Sequence, residues 1–199
     1  MDHYYENVPG WFSYEYLYKE MVELAEDGDV FVEIGSFKGR STSFMGTEII
    51  NSGKDIKFYA VDTWMGSQEH QAGAECEDPS VVAGTLFDEF LNNTKPVAQV
   101  VAPVRMPSVG AANTFADGSI SFIMIDGDHT YEGVKADVHA YWSKMKPGGF
   151  MTGDDAWAPD VWRAVNDAVR EIDPSIEVKL INGIHFYIEM PNEVDTETK

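Results

Sequence analysis

Cysteine, basic residues and long apolar runs are what this chain has least of. One cysteine, Cys76, stands among 199 residues. No internal disulfide can form, and a reducing, cytoplasmic setting is expected. Only 14 lysines and arginines face 34 aspartates and glutamates, for a formal net charge of −20. Such a chain repels phosphate backbones and anionic headgroups, which argues against a nucleic-acid or a membrane partner. It suits solubility, a salty medium or attraction of cationic ligands. No apolar run approaches the roughly 20 residues that span a bilayer. The opening residues Met1-Asp2-His3-Tyr4-Tyr5-Glu6 lack the basic and apolar regions of a secretory signal. Repeats and low-complexity linkers are missing as well.

What remains is a chain with 44% apolar and 13% aromatic residues, too hydrophobic for disorder and of a length that suits one domain over 1–199. Apolar residues at Trp11, Tyr14, Leu17, Met21 and Leu24 recur at helical spacing and predict a helical cap within 1–28, its helix over 11–26. Val30–Ile34 reads as a buried strand, 40–51 as a helix and Lys57–Val61 as a second strand ending at Asp62. Residues 63–80 read as a mobile loop whose last pair, Asp78-Pro79, caps a helix running to about Asn92. Val97–Val101 is the expected third strand and Ser121–Ile125 the fourth. A long amphipathic helix carries Tyr131, Val134, Val138, Tyr141 and Met145, and Pro147-Gly148-Gly149 is expected to stop it. A fifth strand begins at Phe150, and a helix opens at Pro159. Glu177–Ile181 and Ile184–Ile188 form a hairpin about Asn182-Gly183. Strands alternating with helices predict an α/β fold: a seven-stranded, mostly parallel sheet covered on both faces, with an antiparallel C-terminal hairpin strand.

In such a sheet, ligands bind outside the carboxyl ends of the strands. After the first strand comes Glu33-Ile34-Gly35-Ser36-Phe37-Lys38-Gly39-Arg40-Ser41. Gly35 permits a tight turn, Gly39 a close approach of backbone to ligand, and the next helix offers free N–H groups to an anion. Asp62, at the end of the second strand, is placed to accept the hydroxyls of a ribose. Together they imply a nucleoside-containing cofactor, although a purely structural turn would use the same residues. Past the fourth strand lie Asp126-Gly127-Asp128-His129-Thr130, and past the fifth Asp154-Asp155. Carboxylates converging there repel one another unless something neutralises them, and oxygen donors suit Mg²⁺. A helix cap at Asp128 and a plain loop at Asp154-Asp155 would account for the same residues. His129 has the chemistry of a general base toward a hydroxyl, with Asp126 as the alternative. It would serve equally as a cap or a cofactor contact. His70 is a weaker candidate for reaching an acceptor, while His139 and His185 read as structural. Trp64 and Met65 would pack on an adenine, line the acceptor site or belong to the core.

The stretch from Glu33 to Thr42 resembles the first motif of class I S-adenosylmethionine (SAM)-dependent methyltransferases. In particular it is similar to the small-molecule O-methyltransferase subgroup typified by macrocin- and novobiocin-pathway enzymes (methyltransferase family 24-like), whose order residues 30–170 follow. The resemblance implies a Rossmann-like fold. It implies SAM held by Glu33, Gly35, Ser36, Gly39 and Ser41 at its methionine end, by Asp62 and Thr63 at its ribose, by Ser108 near the adenine, and by Asp126 and Gly127. It also implies an Mg²⁺ triad of Asp126, Asp154 and Asp155. Where that family often has an aromatic residue after the paired aspartates, this chain has Ala156, with Trp157 next, which bears on the acceptor pocket. The implied activity is methyl transfer to a hydroxyl of a small molecule, such as a sugar or a phenolic metabolite. No Asn/Asp-Pro-Pro-Tyr/Phe motif follows the fourth strand, which weighs against amino methylation of bases. The rival readings are a nicotinamide-dependent oxidoreductase and a non-catalytic SAM-binding protein. The aromatic N-terminus (Tyr4, Tyr5, Trp11, Phe12) is suited to covering a pocket or a partner, which leaves a monomer and a homo-oligomer both open.

Overall fold

The computed structural model describes residues 1–192. Seven strands, β1 (Val30–Ile34), β2 (Lys57–Asp62), β3 (Val101–Arg105), β4 (Ile120–Ile125), β5 (Met145–Gly153), β6 (Lys179–Ile181) and β7 (His185–Glu189), form one sheet in the order β3-β2-β1-β4-β5-β7-β6. The first five run parallel, and β7 pairs antiparallel with both β5 and β6. The helices are α1 (Glu15–Leu24), α2 (Arg40–Ser52), α3 (Pro79–Val82), α4 (Leu86–Thr94), α5 (Ser108–Ala111), α6 (Tyr131–Trp142) and α7 (Pro159–Ile172).

Strand pleating explains the two cores. Successive side chains point to opposite faces, so Phe31, Phe58, Phe122 and Met124 pack with α1, α2 and α4. Val32, Val61, Ile123 and Ile125 pack with α6 and α7 on the other side. All six residues of β4 are buried because helices cover both of its faces. Each large apolar side chain so enclosed contributes roughly 1.5–3 kcal/mol.

Several expected boundaries move. α1 is shorter than 11–26, and Trp11 lies outside it, 73% exposed. The helix expected over 79–92 is two helices, interrupted at Gly84-Thr85. The third strand is Val101–Arg105 rather than Val97–Val101, because Lys95–Val97 closes a 3-10 turn. Lying at the sheet edge, it tolerates three exposed residues, Pro103 among them, a pattern that hides a strand. α6 ends at Trp142, and Met145-Lys146-Pro147-Gly148-Gly149 belongs to β5, through an irregularity in register between Ile120 and Phe122. The closing hairpin turns on Asn182 and Gly183, both at positive φ (54° and 73°), as a tight I′-type connection demands. No helix among the described residues is long and apolar enough to cross a membrane.

Candidate active site

The parallel register sets the site. Ile34 pairs with Ile125 and Ile125 with Gly153, so the chain leaves β1, β4 and β5 at one level. The acids after β4 and β5 are therefore neighbours, and the turn after β1 lies beside them.

The turn is built around Gly35. At φ +85° it occupies the left-handed region, and a Cβ there would fall 1.9 Å from the Asp126 carbonyl oxygen. Only glycine lets the two strand ends meet. Gly39 answers a different demand from the expected ligand approach: its missing Cβ would lie 2.6 Å from Thr94 Cγ2 and 3.0 Å from Phe90 Cδ2, so it admits α4 against α2. Glu33 lies beneath the turn. It is fully buried and accepts from the Tyr18 hydroxyl at 2.8 Å, the Ser36 hydroxyl at 2.8 Å and the Thr42 hydroxyl. Burial raises its pKa even though the hydroxyls of Thr42, Ser41, Tyr18 and Ser36 oppose the shift. Glu33, Ser36 and Ser41 thus make a buried polar knot that stiffens the turn.

Asp62 closes the turn from the other side. Its Oδ2 accepts the Ser36 and Phe37 N–H groups, each at 2.9 Å, and its Oδ1 accepts the Trp64 N–H at 2.8 Å. Thr63 caps the next bend, its hydroxyl accepting from Met65 N–H at 3.2 Å. Trp64 is core, packed at a tilt against Phe87 and Phe90 with its indole N–H on the Phe37 carbonyl, while Met65 is 70% exposed. Phe37 faces His70 at 5.0 Å and Trp11 at 6.1 Å between ring centroids, so the 63–78 segment and the N-terminal segment meet over the glycine turn. That segment is anchored by Lys38, whose ammonium lies 2.7 Å from Asp78 and 3.3 Å from Glu89. Burial alone would raise Asp78, yet the hydrogen bonds from Lys38 and Ser80 outweigh it and hold the carboxyl at about 2.

Asp126 is the centre of the acid group. Its Oδ2 accepts from the Tyr14 hydroxyl at 2.8 Å, and its Oδ1 lies 3.3 Å from His129 Nε2. His129 Nε2 is also 3.2 Å from Asp155 Oδ2, and Asp155 Oδ1 accepts from the Trp157 indole N–H at 2.7 Å. Burial raises the pKa of Asp126, and nearby Asp154 adds to the rise against the opposing His129 contact. Asp154 Oδ1 accepts from Asp155 N–H at 2.8 Å and lies 3.1 Å from His185 Nε2. Gly127 follows Asp126 at the mouth of the turn, 3.2 Å (from its missing Cβ) to Ile34 Cγ2. Asp128 accepts from Thr130 N–H, and Thr130 is the residue that caps α6. Ser108 is turned toward α6, donating to the buried Asp137. His139 pairs with Glu171 on the surface.

The donor set fits a divalent cation. Asp126, His129 and Asp155 each offer one ligand atom, and the three atoms lie within 4.8 Å of one another. Asp154 is not one of the three; its carboxylate makes its contacts, to Asp155 N–H and His185, through Oδ1. Two contributors were not visible in sequence. Tyr14 was read as an apolar position of a helix and His185 as structural, yet both touch site carboxylates, across 112 and 31 residues of chain respectively. Neither segment carries a motif that could have announced this. A surface depression of about 290 Å³, lined by Met21, Asp29, Phe31 and Lys146, sits at the amino end of the sheet and contains none of the site carboxylates.

This strand order, with a glycine turn and an acid at the tips of β1 and β2, defines the class I SAM-dependent methyltransferase fold. The chain belongs to the methyltransferase-domain family, whose model matches residues 32–156. It is 39% identical over 154 residues to an uncharacterized protein of Acanthamoeba polyphaga mimivirus, a match covering 74% of this chain and 62% of that protein. It thus spans less than two thirds of that relative's length. Among solved structures it is similar to the O-methyltransferase NovP, with TM-score 0.67 and 16% identity over 89% of this chain and 79% of NovP. A SAM-dependent O-methyltransferase from Thermotoga maritima is similar at TM-score 0.60 and 10% identity, over 94% of this chain and 69% of that one. Aeropyrum pernix fibrillarin, solved with SAM bound, is similar at TM-score 0.53 and 13% identity, over 87% and 74% of the two chains.

Proposed function

We propose that this chain is a SAM-dependent O-methyltransferase acting on a hydroxyl of a small molecule, a sugar or a phenolic metabolite, with Mg²⁺ held by Asp126, Asp154 and Asp155. The observation that carries the reading is the meeting of two halves. The turn expected to hold the cofactor touches Asp126 so closely that a Cβ on Gly35 would lie 1.9 Å from the Asp126 carbonyl oxygen. Cofactor end and acid group are thereby one site. When bound, SAM supplies a methyl carbon on a cationic sulfur, and the divalent ion supplies charge that lowers the pKa of a neighbouring hydroxyl.

The chain's own residues do the rest. Asp62 already orders the turn through three backbone N–H groups, two on Oδ2 and one on Oδ1, and retains one acceptor site, on Oδ1, for a ribose hydroxyl. His129, beside both Asp126 and Asp155, would take the acceptor's hydroxyl proton as the oxygen–methyl bond forms and the methyl–sulfur bond of bound SAM breaks to leave a neutral thioether. Trp157, fixed through its indole N–H on Asp155 and 66% exposed, offers a flat apolar face at the mouth. Holding acceptor and methyl donor in line supplies much of the rate. The net charge of −20 disfavours an acceptor carried on a phosphate backbone and favours a cationic cofactor. The single cysteine suits a cytoplasmic setting.

Calorimetric titration with SAM, with and without Mg²⁺ and against NAD, is the test. Micromolar binding of SAM, none of NAD and a separate Mg²⁺ isotherm are expected. Binding of NAD in place of SAM would overturn the reading. In turnover assays on an accepted hydroxyl compound, Asp126→Asn and His129→Gln should each lower kcat by about 10²–10⁴-fold.

A further inference from the structure

The metal-side carboxylates of the proposed function follow β4 and β5, inside the matched stretch 32–156. Two of them are held by residues outside it. Tyr14, at the entry to α1, donates to Asp126 Oδ2. His185, the first residue of β7, is only 1% exposed and contacts Asp154 Oδ1 through Nε2 at 3.1 Å. Its other nitrogen, Nδ1, lies 3.0 Å from the Tyr16 hydroxyl, and the Ser13 hydroxyl stands 3.5 Å from Nε2.

This geometry assigns a tautomer. A carboxylate needs a donor, so Nε2 carries the hydrogen, and Nδ1 accepts from the Tyr16 O–H. The imidazole is then satisfied at both ends, and its orientation is fixed by Tyr16 from α1 and by the β5–β7 pairing that sets Gly153 opposite Phe186. Among the described residues, both contacts to the Asp154 carboxylate fall on Oδ1, the second being the Asp155 N–H at 2.8 Å. Oδ2 is therefore the oxygen turned out for a ligand. A carboxylate hinged only at its own backbone would rotate; one clamped through Oδ1 presents Oδ2 in one orientation, which raises cation affinity by removing an ordering cost.

We infer that His185 is a positioning residue for Asp154, aligned by Tyr16, so that the N-terminal helix and the C-terminal hairpin together set the cation affinity of the site. The inference rests on the proposed metal role of Asp154. His185 itself touches no reacting atom.

The test uses the full chain and Mn²⁺ as probe, which takes the same oxygen donors as Mg²⁺. Affinity is read from free Mn²⁺ by electron paramagnetic resonance, and SAM affinity is measured beside it on each variant. His185→Leu should weaken Mn²⁺ binding by 10–100-fold while SAM affinity stays within about twofold. His185→Gln, whose amide restores a donor toward Oδ1, should recover most of the loss. Tyr16→Phe, which removes only the hydroxyl that aligns the ring, should weaken Mn²⁺ severalfold, and it reads the inference even if His185→Leu fails to fold. Parent-like Mn²⁺ affinity in folded His185→Leu, or in Tyr16→Phe should His185→Leu not fold, overturns the positioning role and leaves the proposed function standing. A parent that binds SAM but no Mn²⁺ overturns the metal half of the proposed function and this inference with it, and the parent's own flat titration distinguishes that case.

Discussion

Asp137 holds an ionisable group where water scarcely reaches. It is 2% exposed, and its partner is the Ser108 hydroxyl. Burial pushes its carboxyl up to about 6, against the lowering effect of that hydrogen bond and with help from the Asp128 charge. The folded chain therefore keeps the proton more tightly than the unfolded chain, whose aspartates titrate near 4. The stability gained by keeping the group neutral is full below about pH 4 and is lost as pH rises through about 6. A two-unit shift corresponds to roughly 3 kcal/mol. Asp137→Asn, always neutral, should match the parent at pH 4 and exceed it by about 2–3 kcal/mol at pH 7. Urea unfolding at intervals over that range checks it; curves that stay parallel refute it. At Gly35 the constraint is steric rather than electrostatic. Its φ of +85° and the 1.9 Å approach to Asp126 O leave no room for a methyl group. Gly35→Ala should cost roughly 3 kcal/mol or more, or leave the protein insoluble, whereas at Gly53, also at positive φ but with open space around it, alanine should cost only about 1 kcal/mol.

Elements impose a different kind of constraint, because a segment is only as ordered as its attachments. Residues 63–80 read as a mobile loop, and Lys38 ties their far end to the glycine turn through Asp78. Removing that tie with Lys38→Met should speed proteolytic cleavage within 66–78 about tenfold, corresponding to roughly 1.4 kcal/mol of local opening. The rest of the molecule should unfold at nearly the parental temperature, and a cleavage rate equal to the parent's would show the tie is idle. The same scale explains what was legible in the sequence. β1, β2 and β4 were readable because each is a short apolar run that stops at a glycine or an acid, and those stops are also the site. β3 lies four residues beyond its expected start because Pro103 makes Val101-Ala102-Pro103-Val104 read as a poor strand, while Val97-Ala98-Gln99-Val100 reads as a better one and is mostly turn. β5 begins five residues early because Pro147-Gly148-Gly149, which reads as a stop, is carried along the sheet by its neighbours. Asp126, Asp154 and Asp155 were visible as acids after strands. Tyr14 and His185 were not, since what brings them to those acids is the docking of α1 and the antiparallel closure by β7, which leave no local trace.

At the scale of the whole molecule, 34 acids and 14 bases act as a field that penalises compaction. Screening that field takes ionic strength: the Debye length shrinks only from about 10 Å at 0.1 M to about 3 Å at 1 M. NaCl should therefore raise the melting temperature gradually, with most of the gain above a few hundred millimolar. A cation bound at Asp126, Asp154 and Asp155 behaves otherwise. It stabilises by RT ln(1 + [L]/Kd), about 2.7 kcal/mol at a hundred times Kd, so its effect appears at millimolar MgCl₂, where screening is nearly unchanged. Melting curves of chelator-treated protein in NaCl and in MgCl₂ at matched ionic strength separate the two. An excess shift of several degrees in Mg²⁺, lost in Asp126→Asn and kept in a surface variant such as Asp117→Asn, which is remote from the site and bonded to Lys144, is the expected result. Identical shifts at matched ionic strength would mean the acid group is seen by the cation only as part of the field.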